Sequence, residues 1–180
     1  VTETRSDSLQ RAVTDLATYA LNHAALVDQG GGLFTARSAG SSEITVSWAG
    51  VTETVRVAIS VPVLTSSSPA DGEADVAVTR ETVLRFSAPL KASTVTGESI
   101  AVRFAGEALT TRLHVSPTKD QVTVFYPEHL PASARVQLTL DGDRLTSATG
   151  QLIDADGDGL PGGIGHVSFD TLSLTVLPGT

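Results

Sequence analysis

The most constraining feature of this chain is a pair of alternating segments joined by a two-residue turn. In Glu43-Ile44-Thr45-Val46-Ser47-Trp48, Ile44, Val46 and Trp48 fall on one face; after Ala49-Gly50, Val55, Val57 and Ile59 alternate with polar residues in Thr52 to Ile59. Period-two alternation is the mark of a half-buried strand, and a short Gly-containing break between two such runs makes a hairpin. A chain built around such a hairpin must find a second layer to cover its apolar face.

The same pattern recurs along most of the sequence. Upstream, Val13 to Tyr19 and Ala24 to Val27 are expected as short strands, a strand reading being preferred to a helix over Ser8 to Ala25. Gly30-Gly31-Gly32 supplies a turn before Leu33 to Ala36. Downstream, strands are expected at Thr82 to Phe86, Ile100 to Phe104, Leu113 to Ser116, Val122 to Tyr126, Ala134 to Leu140 and His166 to Leu177. Many short strands with turn signals between them, and no long helical pattern, predict an all-β fold. Pro62 and the polar, proline-bounded run Thr65 to Gly72 read as a short connection, which divides the chain into domains 1–62 and 63–180.

Composition narrows the function classes. Hydrophobic residues at 41% and charged residues at 18% support a packed core. A net charge of -8 disfavours nucleic acid, which requires clustered Lys and Arg. The absence of Cys removes disulfides, thiolate zinc sites and cysteine nucleophiles together. The absence of Met and the Val1 start lead to the expectation of a fragment or processed product. Apolar runs such as Val55 to Leu64 are short and broken by Arg56, Ser60 and Pro62, so membrane insertion by this segment is not expected.

Two resemblances emerge from the strands. Val13 to Tyr19, Gly32 to Ala36, Ala39 to Val46 and Val51 to Ile59 resemble the later part of a group 2 bacterial Ig-like domain, the type of intimin and invasin-like adhesins. Family members carry one or two more strands before the Val-Thr-Asp element, so residues 10–60 are expected to form an incomplete sandwich. Residues 64–176 resemble a second bacterial Ig-like family, first described from S-layer proteins. The residues that carry this resemblance are Ser68-Pro69-Ala70-Asp71-Gly72, Val76, Leu84 to Leu90, Ser93 to Val95, Ser99-Ile100, Val122 to Pro127, Leu130-Pro131 and Val136 to Leu140. The resemblances imply two tandem immunoglobulin-like β-sandwiches in an extracellular or cell-surface protein, with neighbouring Ig-like domains as partners.

One motif carries chemistry. Asp154, Asp156 and Asp158 occupy positions 1, 3 and 5 of an EF-hand-type loop, with Gly159 at 6 and the Leu160 carbonyl at 7. The second half departs from the motif, because Gly165 stands at position 12 where a bidentate Glu is required. Two readings stay open: a Ca²⁺ loop completed by water or by Asp141, Asp143 or Asp170, and plain Asp-Gly turns. Repulsion on the order of a kcal/mol per close carboxylate pair favours the ion.

Nothing points to catalysis. His23, His114, His129 and His166 are scattered, and neither HExxH nor a Gly-x-Ser-x-Gly elbow occurs. Trp48 and Tyr126 could stack on a carbohydrate, but their strand pattern favours packing roles. The sequence therefore predicts a non-catalytic spacer, with an adhesive module binding a glycan or host protein as the alternative. A further alternative is a subunit of a filament, S-layer or phage particle that gains or donates a strand.

Overall fold

The computed structural model describes residues 1–4 and 10–173. It is all-β apart from two single-turn 3₁₀ segments, Thr14–Leu16 and Ala92–Thr94. The chain divides into two compact units, Val1–Ser60 and Val61–Thr180.

In the first unit, β1 (Thr2–Thr4) pairs with β2 (Gln10–Ala12). After the 3₁₀ turn come β3 (Thr18–Leu21), β4 (Leu26–Gly30), β5 (Leu33–Ala36), β6 (Gly40–Trp48) and β7 (Val51–Ile59). The order β3-β6-β7 makes a three-stranded sheet, and β4-β5 a separate hairpin. The expected β6–β7 hairpin forms with Trp48 opposite Val51. Ala49 and Gly50 both take positive φ, as a two-residue turn of matching twist requires. The expectation of a strand from Val13 to Tyr19 is corrected at its centre. Val13 is fully buried, and Leu16 and Ala17 donate their N–H groups back to its carbonyl, which closes a turn where a strand was expected. Tyr19 then holds the turn by donating its hydroxyl to the Thr14 carbonyl, and packs edge-on against Phe34 of β5.

In the second unit, β8 (Leu64–Ser68), β9 (Thr82–Phe86), β10 (Ile100–Phe104), β11 (Glu107–Ala108), β12 (Arg112–Val115), β13 (Gln121–Phe125), β14 (Arg135–Asp141) and β15 (Ile164–Asp170) form two four-stranded sheets. Their orders are β12-β13-β9-β8 and β11-β10-β14-β15. Leu84, Val122 and Val124 of one sheet and Ile100, Leu138 and Phe169 of the other belong to one buried cluster. The alternation along β14, where Val136, Leu138 and Leu140 are buried and Arg135 and Gln137 exposed, aims every second side chain at this core. Leu145 and Ile153, fully buried, belong to the same cluster although they lie between strands, and so anchor the long excursion from β14 to β15.

The run Thr65 to Gly72 is not simply a connection. Its first half is β8, paired with β9. Its polar character suits an edge strand: Thr65 donates its hydroxyl to the Arg85 carbonyl, and Ser68 accepts from the Arg80 guanidinium. The strand expected from His166 begins earlier, at Ile164, and ends at Asp170; residues 174–177 of that expectation lie outside the described residues.

Candidate metal centre

The site begins with backbone geometry. Between β14 and β15 the chain folds back on itself: Ile153 N–H donates to the Leu145 carbonyl, Gly162 N–H to Ile153, Ala155 N–H to Gly162, and Gly142 N–H to Gly163. Asp154 is thereby held beside Gly162 on one side. On the other, its own N–H donates to the Pro62 carbonyl at 2.8 Å, and it bridges Val63. Pinned from both sides, Asp154 is almost wholly buried.

Burying a carboxylate demands partners. Asp154 has them: Oδ1 accepts the Gly157 N–H at 2.7 Å and Oδ2 the Gly159 N–H at 2.9 Å. Both glycines have positive φ, the conformation that turns successive N–H groups inward. Asp158 Oδ1 accepts the Leu160 N–H at 2.7 Å, and the Leu160 side chain stands exposed at the loop tip. Each carboxylate oxygen keeps a second lone pair.

Asp154, Asp156 and Asp158 each present one oxygen within 4.8 Å of the others. Oxygens bound to a single Ca²⁺ at 2.3–2.6 Å lie no more than about 5 Å apart, so the spacing suits one such ion. The donor set is all oxygen, the choice of a hard cation. Among the described residues, none of the three carboxylates forms an ion pair with a basic side chain, and no other group of three or more His, Cys, Asp or Glu converges in this way.

The three further carboxylates named from the sequence are placed differently. Asp143 reaches the loop: a side chain at Gly162 would collide with its carboxylate. Asp141 stands nearby but is paired with Arg144 at 3.1 Å. Asp170 is remote. It lies opposite Arg135, to which it is ion-paired, while Asp141 lies opposite Ile164 at the other end of the same ladder, roughly 20 Å away at strand rise.

Sequence reasoning missed the close approaches at Gly163 and Gly165. A Cβ at Gly163 would run into the Asp156 carboxylate, and one at Gly165 into the Ala155 carbonyl. Gly165, the position where an EF-hand carries its Glu, is therefore closed to any side chain. The density of Gly between Gly157 and Gly165 was the available signal.

The first unit holds a different kind of feature, a cleft of about 510 Å³ whose lining includes Val46, Trp48, Val51, Glu53 and Val55. The Trp48 indole N–H is buried there without a hydrogen-bond partner among the described residues. Tyr126, by contrast, is satisfied: its hydroxyl shares a 2.7 Å hydrogen bond with Thr82, and burial pushes its pKa up to about 12.

A family model described as a bacterial Ig-like domain matches residues 58–171, well over half of the chain. The chain belongs to the bacterial Ig-like domain family. The match takes in residues 64–171 of the second resemblance read from the sequence, and with them the whole acidic loop of this Ig-like domain. No curated protein matches the chain. Among solved structures, the Ig-like chain is similar to PcoC, a methionine-rich copper resistance protein from Escherichia coli, with 16% identity, 62% of this chain and 99% of that chain covered, and a TM-score of 0.47. It is also similar to domains 1–6 of surface layer protein SbsC, with 14% identity, coverage of 64% and 14%, and a TM-score of 0.44. CopC from Methylosinus trichosporium OB3b gives 15%, coverage of 65% and 99%, and 0.43.

Proposed function

We propose that this chain is a non-catalytic structural segment of a bacterial secreted or cell-surface protein. In this reading it is a spacer whose partners are neighbouring Ig-like domains, and whose second module, residues 63–180, is stabilised by Ca²⁺. The ion is held by Asp154, Asp156, Asp158 and the Leu160 carbonyl, with Asp143 or water completing the shell. The first module, residues 1–62, is an incomplete Ig-like sandwich that takes a strand from another subunit.

The observation that supports the calcium reading is the convergence of three carboxylate oxygens on a loop whose first Asp is fixed by backbone bonds to Pro62 and Gly162. When bound, the ion supplies charge neutralisation and cross-linking and no reaction chemistry. Family membership supports the structural role, and the acidic surface suits an extracellular setting. Among the described residues no helix is long and apolar enough to cross a membrane.

Calorimetric titration of the full chain with Ca²⁺, paired with melting in Ca²⁺ and in EDTA, tests this. Ligand at about 100 times its dissociation constant adds about 2.7 kcal/mol, a rise on the order of 10 °C for a domain of this size. No heat and no rise at millimolar Ca²⁺ would remove the ion from the function.

A further inference from the structure

Among the described residues, the edges of the three- and four-stranded sheets are defended, with one exception. Edge strands expose a row of N–H and C=O groups, and proteins blunt them by shortness, bulges, Pro or Lys, or by a covering loop. Here β11 has two residues, while β3 and β12 have four each. β8 carries a register shift between Leu64 and Ser66. The outer edge of β15 is covered by residues 71–76, through Ser168 and Asp170. Apart from the charges of Glu53 and Arg56, β7 has none of these devices. It runs nine residues, pairs with β6 without a bulge, contains no Pro, Lys or Gly, and among the described residues has no neighbour on its other side.

The two-residue turn makes Trp48 and Val51 a hydrogen-bonded pair, so the odd-numbered residues of β7 bond to β6. Thr52, Thr54, Arg56 and Ala58 then turn their N–H and C=O groups to the free edge. Val51 and Val55, which line the cleft, are 71% and 49% exposed.

We propose that β7 pairs antiparallel with β7 of a second copy of this chain, about a two-fold axis through Val55. Charge narrows the registers, and the pairing of all nine residues selects this one. An axis through Glu53 or Arg56 sets like charges directly opposite, and one through Thr54 makes the two Glu53 side chains diagonal neighbours. The Val55 axis places Val51 opposite Ile59, Glu53 opposite Val57 and Thr54 opposite Arg56. The two Glu53 side chains are then four positions apart, roughly 13 Å and beyond the Debye length in physiological salt. The two Arg56 side chains become diagonal, but each carries Glu43 at 2.7 Å. All nine residues of each strand are paired, and the apolar faces stay on one side of a continuous sheet. The inference gives the strand-adding subunit proposed above an identity and does not depend on calcium.

The chain has no Cys, so the register can be read by cross-linking. Across the axis the two Val55 residues form a non-hydrogen-bonded pair with Cα atoms about 4.5 Å apart, within disulfide range. Under oxidation Val55→Cys should give a covalent dimer, and Val51→Cys, whose copies lie at opposite ends of the ladder, at least tenfold less. Sedimentation equilibrium of the unmodified chain should show a concentration-dependent doubling of mass in both Ca²⁺ and EDTA. A strand pair alone buries less than a standard interface, so the dissociation constant should be micromolar or weaker. Thr54→Pro removes one outward N–H and none directed at β6, and should abolish the dimer with the far-UV spectrum retained. A monomer at every concentration up to about 1 mM, or equal cross-linking of the two cysteine variants, overturns the proposal even where calcium binding holds.

Discussion

Asp71 Oδ1 accepts the backbone N–H of Ser168 at 2.8 Å, across 97 positions of sequence. The adjacent Gly72 N–H donates to the Ser168 carbonyl at 2.7 Å, so the Asp-Gly pair satisfies both outward backbone groups of one residue on β15. The Ser-Pro-Ala-Asp-Gly opening is thus a clamp on the last strand of the second unit. Asp71→Ala leaves the Ser168 N–H without this acceptor and should cost about 1–2 kcal/mol, read as a lower midpoint in urea. Asp71→Asn, which keeps an acceptor oxygen, should cost less.

Substitutions in the acidic loop should separate ion binding from loop geometry. Asp156→Asn should lower the melting temperature in Ca²⁺ and leave it unchanged in EDTA. Asp154→Ala should lower it in both, because the Gly157 and Gly159 N–H groups lose their acceptor whether or not an ion is bound. Equal behaviour of the two variants in EDTA would contradict this division of roles.

Gly165→Ala should be among the most damaging single changes in the second unit. Its Cβ meets the Ala155 carbonyl, a backbone atom that cannot rotate aside, while the opposite residue, Leu140, is fully buried. Overpacking of this kind costs about 1–3 kcal/mol, measurable by thermal melting in EDTA.

Tyr126 makes stability fall at high pH. Desolvation raises its pKa to about 12, opposed by the Thr82 hydrogen bond. The folded state thus holds the phenolic proton after the unfolded chain, at about 10, has released it. Stability is intact below about pH 10 and declines as pH rises toward 12, by at most about 2–3 kcal/mol. Tyr126→Phe should flatten that decline, checked by urea unfolding at intervals between pH 9 and 12.

Legibility from sequence followed burial. The β6–β7 hairpin and the strands around Leu84, Val102, Val124 and Leu138 could be read because alternation records which face meets the core. β8 reads as a connection in the sequence because edge strands satisfy polar residues through their own backbone neighbours, as Thr65 does with Arg85. Val13 reads as part of a strand because one buried residue in a turn carries the same apolar mark as one in a ladder. The three Asp residues were found from their spacing. The distance of Asp170 from them was not, because it depends on how β14 and β15 are paired.

Asp154 and Val63, like Val76 and Thr171, face each other in parallel bridges, a minority among antiparallel neighbours. A pull on the chain at Pro62 is met first by the Asp154 N–H and the first bridge, and a pull beyond Thr171 by the second. The acidic loop therefore sits where a pull at Pro62 enters the second unit.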